Sequence, residues 1–226
     1  MKKPTVFFTL FVAFFFGGCQ SAGIVSLLGT PGHYEQEIAA EYDLSKQKDQ
    51  KLLVLVDQPG WVNTSENLRY YLTRAINKNL KEMAKIQPEH LVDYNDLSEF
   101  RSNKSDFSLL PPVEVGRAFD ANMVLFVVVE DYHLRKIAQD GGYEGFLAAR
   151  VVLLDTATEG QLWPEAPKSK SIKVGFETEG RGQTVAAQRL VAACAYCMTR
   201  YLYNCPKSKF YVTEDKSRIG WDEWEK

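Results

Sequence analysis

The chain reads as one α/β domain, a single mixed-sheet sandwich, and three observations carry that reading. Leu52-Leu53-Val54-Leu55-Val56 is an unbroken apolar run with the length and branching of a buried strand. Residues 123–129 form a second and stronger apolar run, and turn residues then lead into further strand-like segments. Between residues 182 and 203 a broad apolar stripe recurs at helical spacing. The order is strand, helix, strand, short helices, a three-strand antiparallel meander and a closing helix. Helices therefore cover one or both faces of a mixed sheet. The domain is expected over residues 51–205, after a leader (1–18) and a tether (19–50), and before a charged tail (206–226).

Each element has its own justification. After the first strand, Asp57-Gln58-Pro59-Gly60 is a loop. Asn63, with Glu66 three residues on, has the form of an N-cap and its reciprocal partner. Leu68, Leu72, Ala75 or Ile76, Leu80 and Met83 then recur on one helical face to about Ala84. Pro88 marks a break before a short extended piece at residues 90–92. Leu97 and Phe100 suggest a short helix, and residues 101–108 a polar loop. Pro111-Pro112 opens another short helix, with proline in its first turn. The strand at 123–129 is extended by residues 132–135, and Gln139-Asp140-Gly141-Gly142 supplies a hairpin turn. A return strand covers 143–154, and residues 155–160 make the next turn. A third strand, interrupted by Pro164 and Pro167, resumes at 169–178.

The first nineteen residues specify an address. Lys2-Lys3 precede an apolar stretch over residues 6–16 that only Thr9 interrupts, and Gly17-Gly18-Cys19 follows. This is a secretory signal layout, too short to span as an ordinary transmembrane helix. A cysteine directly after two small residues resembles the lipobox of bacterial lipoproteins, with Phe16 standing where an aliphatic residue is usual. The resemblance implies acylation at Cys19 and cleavage before it, with palmitate-class chains holding the protein to a membrane. Gln20, where Asp would mark inner-membrane retention, leans toward the periplasmic face of the outer membrane. Residues 20–50 then read as a tether broken by Gly23, Gly29, Pro31 and Gly32. The apolar patch at 24–28 lies in the lipid interface or docks on the domain, and His33 is a solvated linker residue.

Composition narrows the class. With 226 residues, 45% hydrophobic and 25% charged, the chain is ordinary globular material. Loss of Lys2 and Lys3 with the leader takes the formal charge from −2 to −4. That balance speaks against nucleic acid and against polybasic attraction to anionic lipid. Apart from Cys19, three cysteines remain, Cys194, Cys197 and Cys205. The pair Cys197 and Cys205 is the candidate disulfide, but small apolar residues on a packed face are the expected role. A thioredoxin-like reading of Cys194-Ala-Tyr-Cys197 fails because the pair lies inside a helical run rather than at its start.

One stretch carries a further resemblance. Val115-Gly116-Arg117-Ala118-Phe119-Asp120-Ala121-Asn122, an apolar strand, a hairpin, and then Asp155-Thr156-Ala157-Thr158-Glu159-Gly160-Gln161-Leu162-Trp163 follow one another. The sequence of motifs resembles an envelope module found in three proteins. They are the curli secretion channel lipoprotein, the outer-membrane lipoprotein that activates penicillin-binding proteins, and the amino-terminal domain of the Tol β-propeller protein. Asp120-Ala121-Asn122 stands where those proteins have Gly-Ala-Asp, and Glu159-Gly160 replaces their Thr-Gly turn. The resemblance implies binding without an active site, through a lipid anchor, a tether and a compact domain that engages an envelope protein partner. The hairpin over residues 136–145 is too short to build a membrane barrel as the secretion channel does.

Chemistry offers little competition. No nucleophile elbow, zinc-protease motif or phosphate loop occurs, and no cofactor or metal is expected. Asp57, Glu130, Asp131 and Asp155 lie at or beyond strand ends, and a hydrolase acting on wall polymers would use them, with Asp57 and Asp155 foremost. Glu130 or Asp131 with His133 is a weaker metal pair, and His90 sits at a strand edge. Aromatic residues point instead to partners. Tyr70 and Tyr71 are adjacent on the first helix, and Trp221 and Trp224 stand in a polar tail that docks back on its own domain or meets a partner. Trp61 and Trp163 are expected to pack within the domain. The expected function is therefore a non-enzymatic, lipid-anchored envelope protein that binds a protein partner in envelope assembly or cell-wall maintenance. An oligomeric outer-membrane secretion component, possessing a homo-oligomeric ring interface, is the competing class.

Overall fold

A computed structural model describes residues 36–62, 64–137, 142–178 and 182–210. Its packed unit opens at Glu37. The leader, Cys19, His33 and the hairpin tip at 138–141 lie outside the described residues, as do Asn63 and the tail from 211 with Trp221 and Trp224.

Strand β1 (Glu37–Ile38) comes first, and β2 (Leu52–Asp57) follows a 3-10 turn at Leu44–Gln47. Helix α1 spans Leu68–Glu82, α2 Tyr94–Asn103 and α3 Pro112–Ala118. The meander is β3 (Met123–Lys136), β4 (Tyr143–Asp155), β5 (Gln161–Trp163) and β6 (Lys170–Thr178). Helix α4 (Gln183–Thr199), β7 (Cys205–Pro206) and the short α5 (Lys207–Phe210) close the described chain.

The architecture is the α/β sandwich expected. Five strands form a mixed sheet in the order β2-β3-β4-β5, with β6 also paired to β4. β2 and β3 are parallel, from Leu52 opposite Met123 to Asp57 opposite Val128, and α1, α2 and α3 lie in the crossover between them. β3 and β4 form a long antiparallel ribbon with an irregularity between Val129 and Asp131. Alternation splits the apolar side chains between two layers. Leu52, Val54, Val56, Leu125, Val127 and Leu147 pack with Leu72, Ile76 and Leu80 of α1 and Leu190, Cys194 and Met198 of α4. Leu53, Leu55 and Val124 face the other way, onto Val92, Leu97 and Val115. β2 is apolar at every position from Leu52 to Val56 because both of its faces are covered.

Several boundaries differ from expectation, each for a local reason. The cap of α1 is Asn67, whose side chain accepts the Tyr70 N–H at 3.1 Å, rather than Asn63. Glu66 closes no capping box, since its own N–H donates to Thr64 Oγ1 at 3.0 Å. Residues 88–90 form a 3-10 turn, and the extended piece reduces to a parallel bridge between Leu91 and Leu52. α2 runs to Asn103, through part of the expected loop, and Arg101 reaches back from it to the Val56 carbonyl at 3.3 Å. The third meander strand is split into β5 and β6 around Pro164 and Pro167, both against β4.

The largest correction concerns the tether. Residues 37–50 belong to the packed domain, for β1 pairs antiparallel with β7 and Leu44 is fully buried. Glu41 and Tyr42 N–H groups both donate to the Tyr201 carbonyl, and Leu44 N–H to that of Leu202. The chain leaving α4 turns there and exposes carbonyls that need donors, and this upstream segment supplies them. At the other boundary, β7 and α5 carry the packed body to Phe210, past the expected end at 205. Cys194, Cys197 and Cys205 are buried thiols, not a Cys197–Cys205 disulfide. Cys205 Sγ lies 3.4 Å from the Tyr196 hydroxyl. Burial pushes the Cys194 thiol well above its usual range.

Candidate functional site

Tyr70 and Tyr71 sit half-buried on α1, and the fold brings a third ring to them. Tyr94, at the start of α2, meets Tyr70 edge-on with centroids 5.1 Å apart, while Tyr71 lies tilted at 5.4 Å on its other side. The link is the Asp93 cap, whose carboxylate accepts the Asn95 N–H at 2.7 Å and fixes where α2 begins. Asn67 Nδ2 reaches the Tyr94 hydroxyl at 3.4 Å. Thus the residue that starts α1 also positions the ring that starts α2.

Four residues after Tyr70 on α1, Arg74 donates to its hydroxyl at 2.5 Å, with the guanidinium 5.3 Å from the ring centroid. Lys78 and Lys81 follow at helical spacing. Together with Ala75, Gln188 and Val191 these side chains line a groove of about 830 Å³. Arg74, Lys78 and Lys81 are exposed, and among the described residues none has a carboxylate within ion-pair distance. Glu82 and Asp93 line the same groove, so its aromatic faces are flanked by charges of both signs. Tyr70 and Tyr71 were legible in the sequence. Tyr94, 24 positions away, carried no sign beyond lying next to the Asp93 cap.

Asp57 and Asp155 do not come together. Asp57 pairs with Val128 and Asp155 with Met123, so they sit five positions apart along β3, about 17 Å at the strand rise. Asp155 caps its own turn, accepting from Thr158 N–H at 2.7 Å and Ala157 N–H at 2.9 Å. Those bonds hold its carboxyl below the usual value. Glu130 pairs with Arg150 at 2.6 Å, and His133 stacks on Phe146 with centroids 5.2 Å apart. Asp131 lies beside them in the irregular stretch of β3, and His90 ends the 3-10 turn. Among the described residues no group of three His, Cys, Asp or Glu is placed to hold a metal ion. No helix among them is long and apolar enough to cross a membrane. Trp163 is buried as expected, but Trp61 is 76% exposed because the bend turns its neighbour Val62 inward instead.

The motif stretch proves to be a clasp. Arg117 Nε donates to the Thr156 carbonyl at 2.9 Å, and Thr156 Oγ1 donates to the Ala121 carbonyl at 2.6 Å. Asn122 Oδ1 accepts the Lys51 N–H at 2.9 Å, which ties β2 to the start of β3. These residues hold α3 and the 155–160 turn on the sheet, and none of them lines the groove.

No protein-family model matches the chain. No curated protein sequence matches it either. Among solved structures, it is similar to the lipoprotein GNA1162 from Neisseria meningitidis at 16% identity and a TM-score of 0.40, covering 64% of this chain and 94% of that one. The PelC dodecamer from Paraburkholderia phytofirmans gives 15% identity and a TM-score of 0.41, covering 74% and 93%. The LpoB C-terminal domain from Salmonella enterica gives 17% and 0.35, covering 67% and 91%. At these identities and scores they are similarities only.

Proposed function

We propose that this is a bacterial envelope protein, lipid-anchored through Cys19, whose α/β domain acts by binding a protein partner in envelope assembly or cell-wall maintenance. The observation that supports the reading is the groove, where Tyr70, Tyr71 and Tyr94 meet beside Arg74, Lys78 and Lys81, with Glu82 and Asp93 on the same lining. Such a surface supplies aromatic anchors and a charge pattern for orientation. Asp57 and Asp155, the two carboxylates foremost for a hydrolase, stand about 17 Å apart along β3, which supports the binding reading over the hydrolytic one. The leader and the Cys19 context supply the membrane end of the reading.

Crosslinking and capture from native membranes test it, comparing wild type with Cys19→Ser and with Tyr70→Ala/Tyr94→Ala. One reproducible heterologous partner, lost with the anchor and weakened by the groove variant, is the expected result. Self-crosslinked rings as the sole product would refute the proposal and favour the oligomeric secretion component.

A further inference from the structure

Strand β6 ends the sheet beyond β4. It pairs with β4 from Thr178 opposite Tyr143 to Lys170 opposite Val151, and among the described residues no strand pairs with its other edge. An antiparallel strand directs its N–H and C=O groups to both sides, so a long open edge is a template for another extended chain. Alternation fixes the two faces of β6. Ile172, Val174 and Phe176 pack into the layer that holds α4, whereas Ser171, Lys173 and Glu177 are exposed on the opposite face.

Charges on that exposed face are unevenly satisfied. Glu177 stands directly opposite Glu144, a like-charge pair that is destabilising. Arg135 takes Glu144 at 2.5 Å, and Arg150 is held by Glu130 at 2.6 Å. Asp131 is separated from Lys173 by Ala148, about 10 Å at strand spacing. His133 stacks on Phe146. Among the described residues, neither Lys173 nor Glu177 has an opposite charge within ion-pair distance.

We propose that β6 pairs antiparallel with β6 of a second copy of this chain, about a two-fold axis at Gly175. Lys173 and Glu177 lie equally spaced before and after that glycine. In this register Lys173 of each copy faces Glu177 of the other, so one contact supplies both missing counter-charges. Neighbouring registers do not. Side chains keep to their faces only when the strands slide in steps of two residues. One step sets Gly175 opposite Lys173 or Glu177, and the next sets Lys173 or Glu177 opposite itself. A second copy is favoured over an unrelated extended peptide because β6 carries its own complement. No residue of β6 lines the tyrosine groove, so the proposal is independent of the binding site of the preceding section. A two-fold contact closes at two copies and builds no ring.

Sedimentation of the full chain in excess detergent, over a range of protein concentrations, tests this. The expected species are monomer and dimer in reversible exchange. Lys173→Glu and Glu177→Lys should each weaken dimerisation about tenfold, since each sets like charges opposite one another at two places. Both positions are exposed, so neither change disturbs the core. An equimolar mixture of the two variants should dimerise again, because the mixed pair restores both attractions. That recovery also shows that each variant is folded. Hydrogen exchange should show protection of residues 171–177 rising with protein concentration. A chain that stays monomeric, an assembly larger than a dimer, or a dimer indifferent to both charge reversals would overturn the proposal. So would a mixture that fails to recover, or concentration-dependent protection confined to other segments.

Discussion

Glu41 accepts the indole N–H of Trp163 at 2.8 Å, and its other carboxylate oxygen meets Lys170 Nζ at 2.6 Å. The same ammonium lies 3.7 Å from the Tyr201 ring centroid, and Tyr201 stacks near Trp163 at 6.0 Å. One carboxylate from the upstream segment thereby joins β5, β6 and the turn after α4. Glu41→Ala should lower the unfolding free energy by about 1–2 kcal/mol, toward the low end for bonds to a charged group because the site is half exposed. Urea unfolding measures it. An unchanged midpoint would mean that residues 37–44 do not unfold with the domain.

Gly116 is required by close approach. A Cβ added there would overlap Val124 Cγ2 and stand 2.7 Å from Thr156 Cγ2. Val124 is fully buried and has nowhere to move. Gly116→Ala should destabilise by about 1–2 kcal/mol, after the gain in helix propensity is offset against overpacking. Gly60→Ala is the control, since nothing lies within 4 Å of its added carbon. Thermal unfolding of the two variants should differ clearly.

Lys85 adopts φ +60° just after α1 and is exposed. Left-handed backbone costs a side-chain-bearing residue about 1–2 kcal/mol, and glycine is free of that strain. Lys85→Gly should therefore stabilise by about 0.5–1 kcal/mol once the looser unfolded chain is counted. A lower melting temperature in the variant would contradict this.

Asp155 predicts a pH effect of definite sign. The Thr158 N–H, the Thr158 hydroxyl and the Ala157 N–H hold its carboxyl below the usual 3.8. A depressed value means that the stabilisation is present above about pH 4 and is lost as pH falls through the lower folded value. Asp155→Asn keeps an acceptor oxygen and removes the titration. Its stability should fall less than that of wild type between about pH 4 and about pH 2. Denaturant midpoints across that range decide it.

Wherever a segment's own pattern decided the outcome, the element was legible. Leu52 to Val56 could only be buried, and Pro112 sits in the first turn of α3 as its missing N–H predicts. Misreadings fell where a distant partner decided. Asn63 had the form of a cap, yet Asn67 holds the Tyr70 N–H. Cys197 and Cys205 had a plausible spacing, but spacing is silent on the distance and direction between two thiols, which a disulfide requires. In the groove, adjacency exposed Tyr70 and Tyr71 to inspection, whereas Tyr94 and the wall residue Val191 arrive from other helices.

By itself, the sequence determined the α/β class and the order of its long elements. These depend on local periodicity and composition, which survive without knowledge of any neighbour. Only the tertiary structure decided that residues 37–50 are packed domain, that Arg117 and Thr156 form a clasp, and that three tyrosines share one groove. Each depends on a contact between residues distant in sequence. Such contacts form only once burial of the two apolar layers has fixed the helices on the sheet.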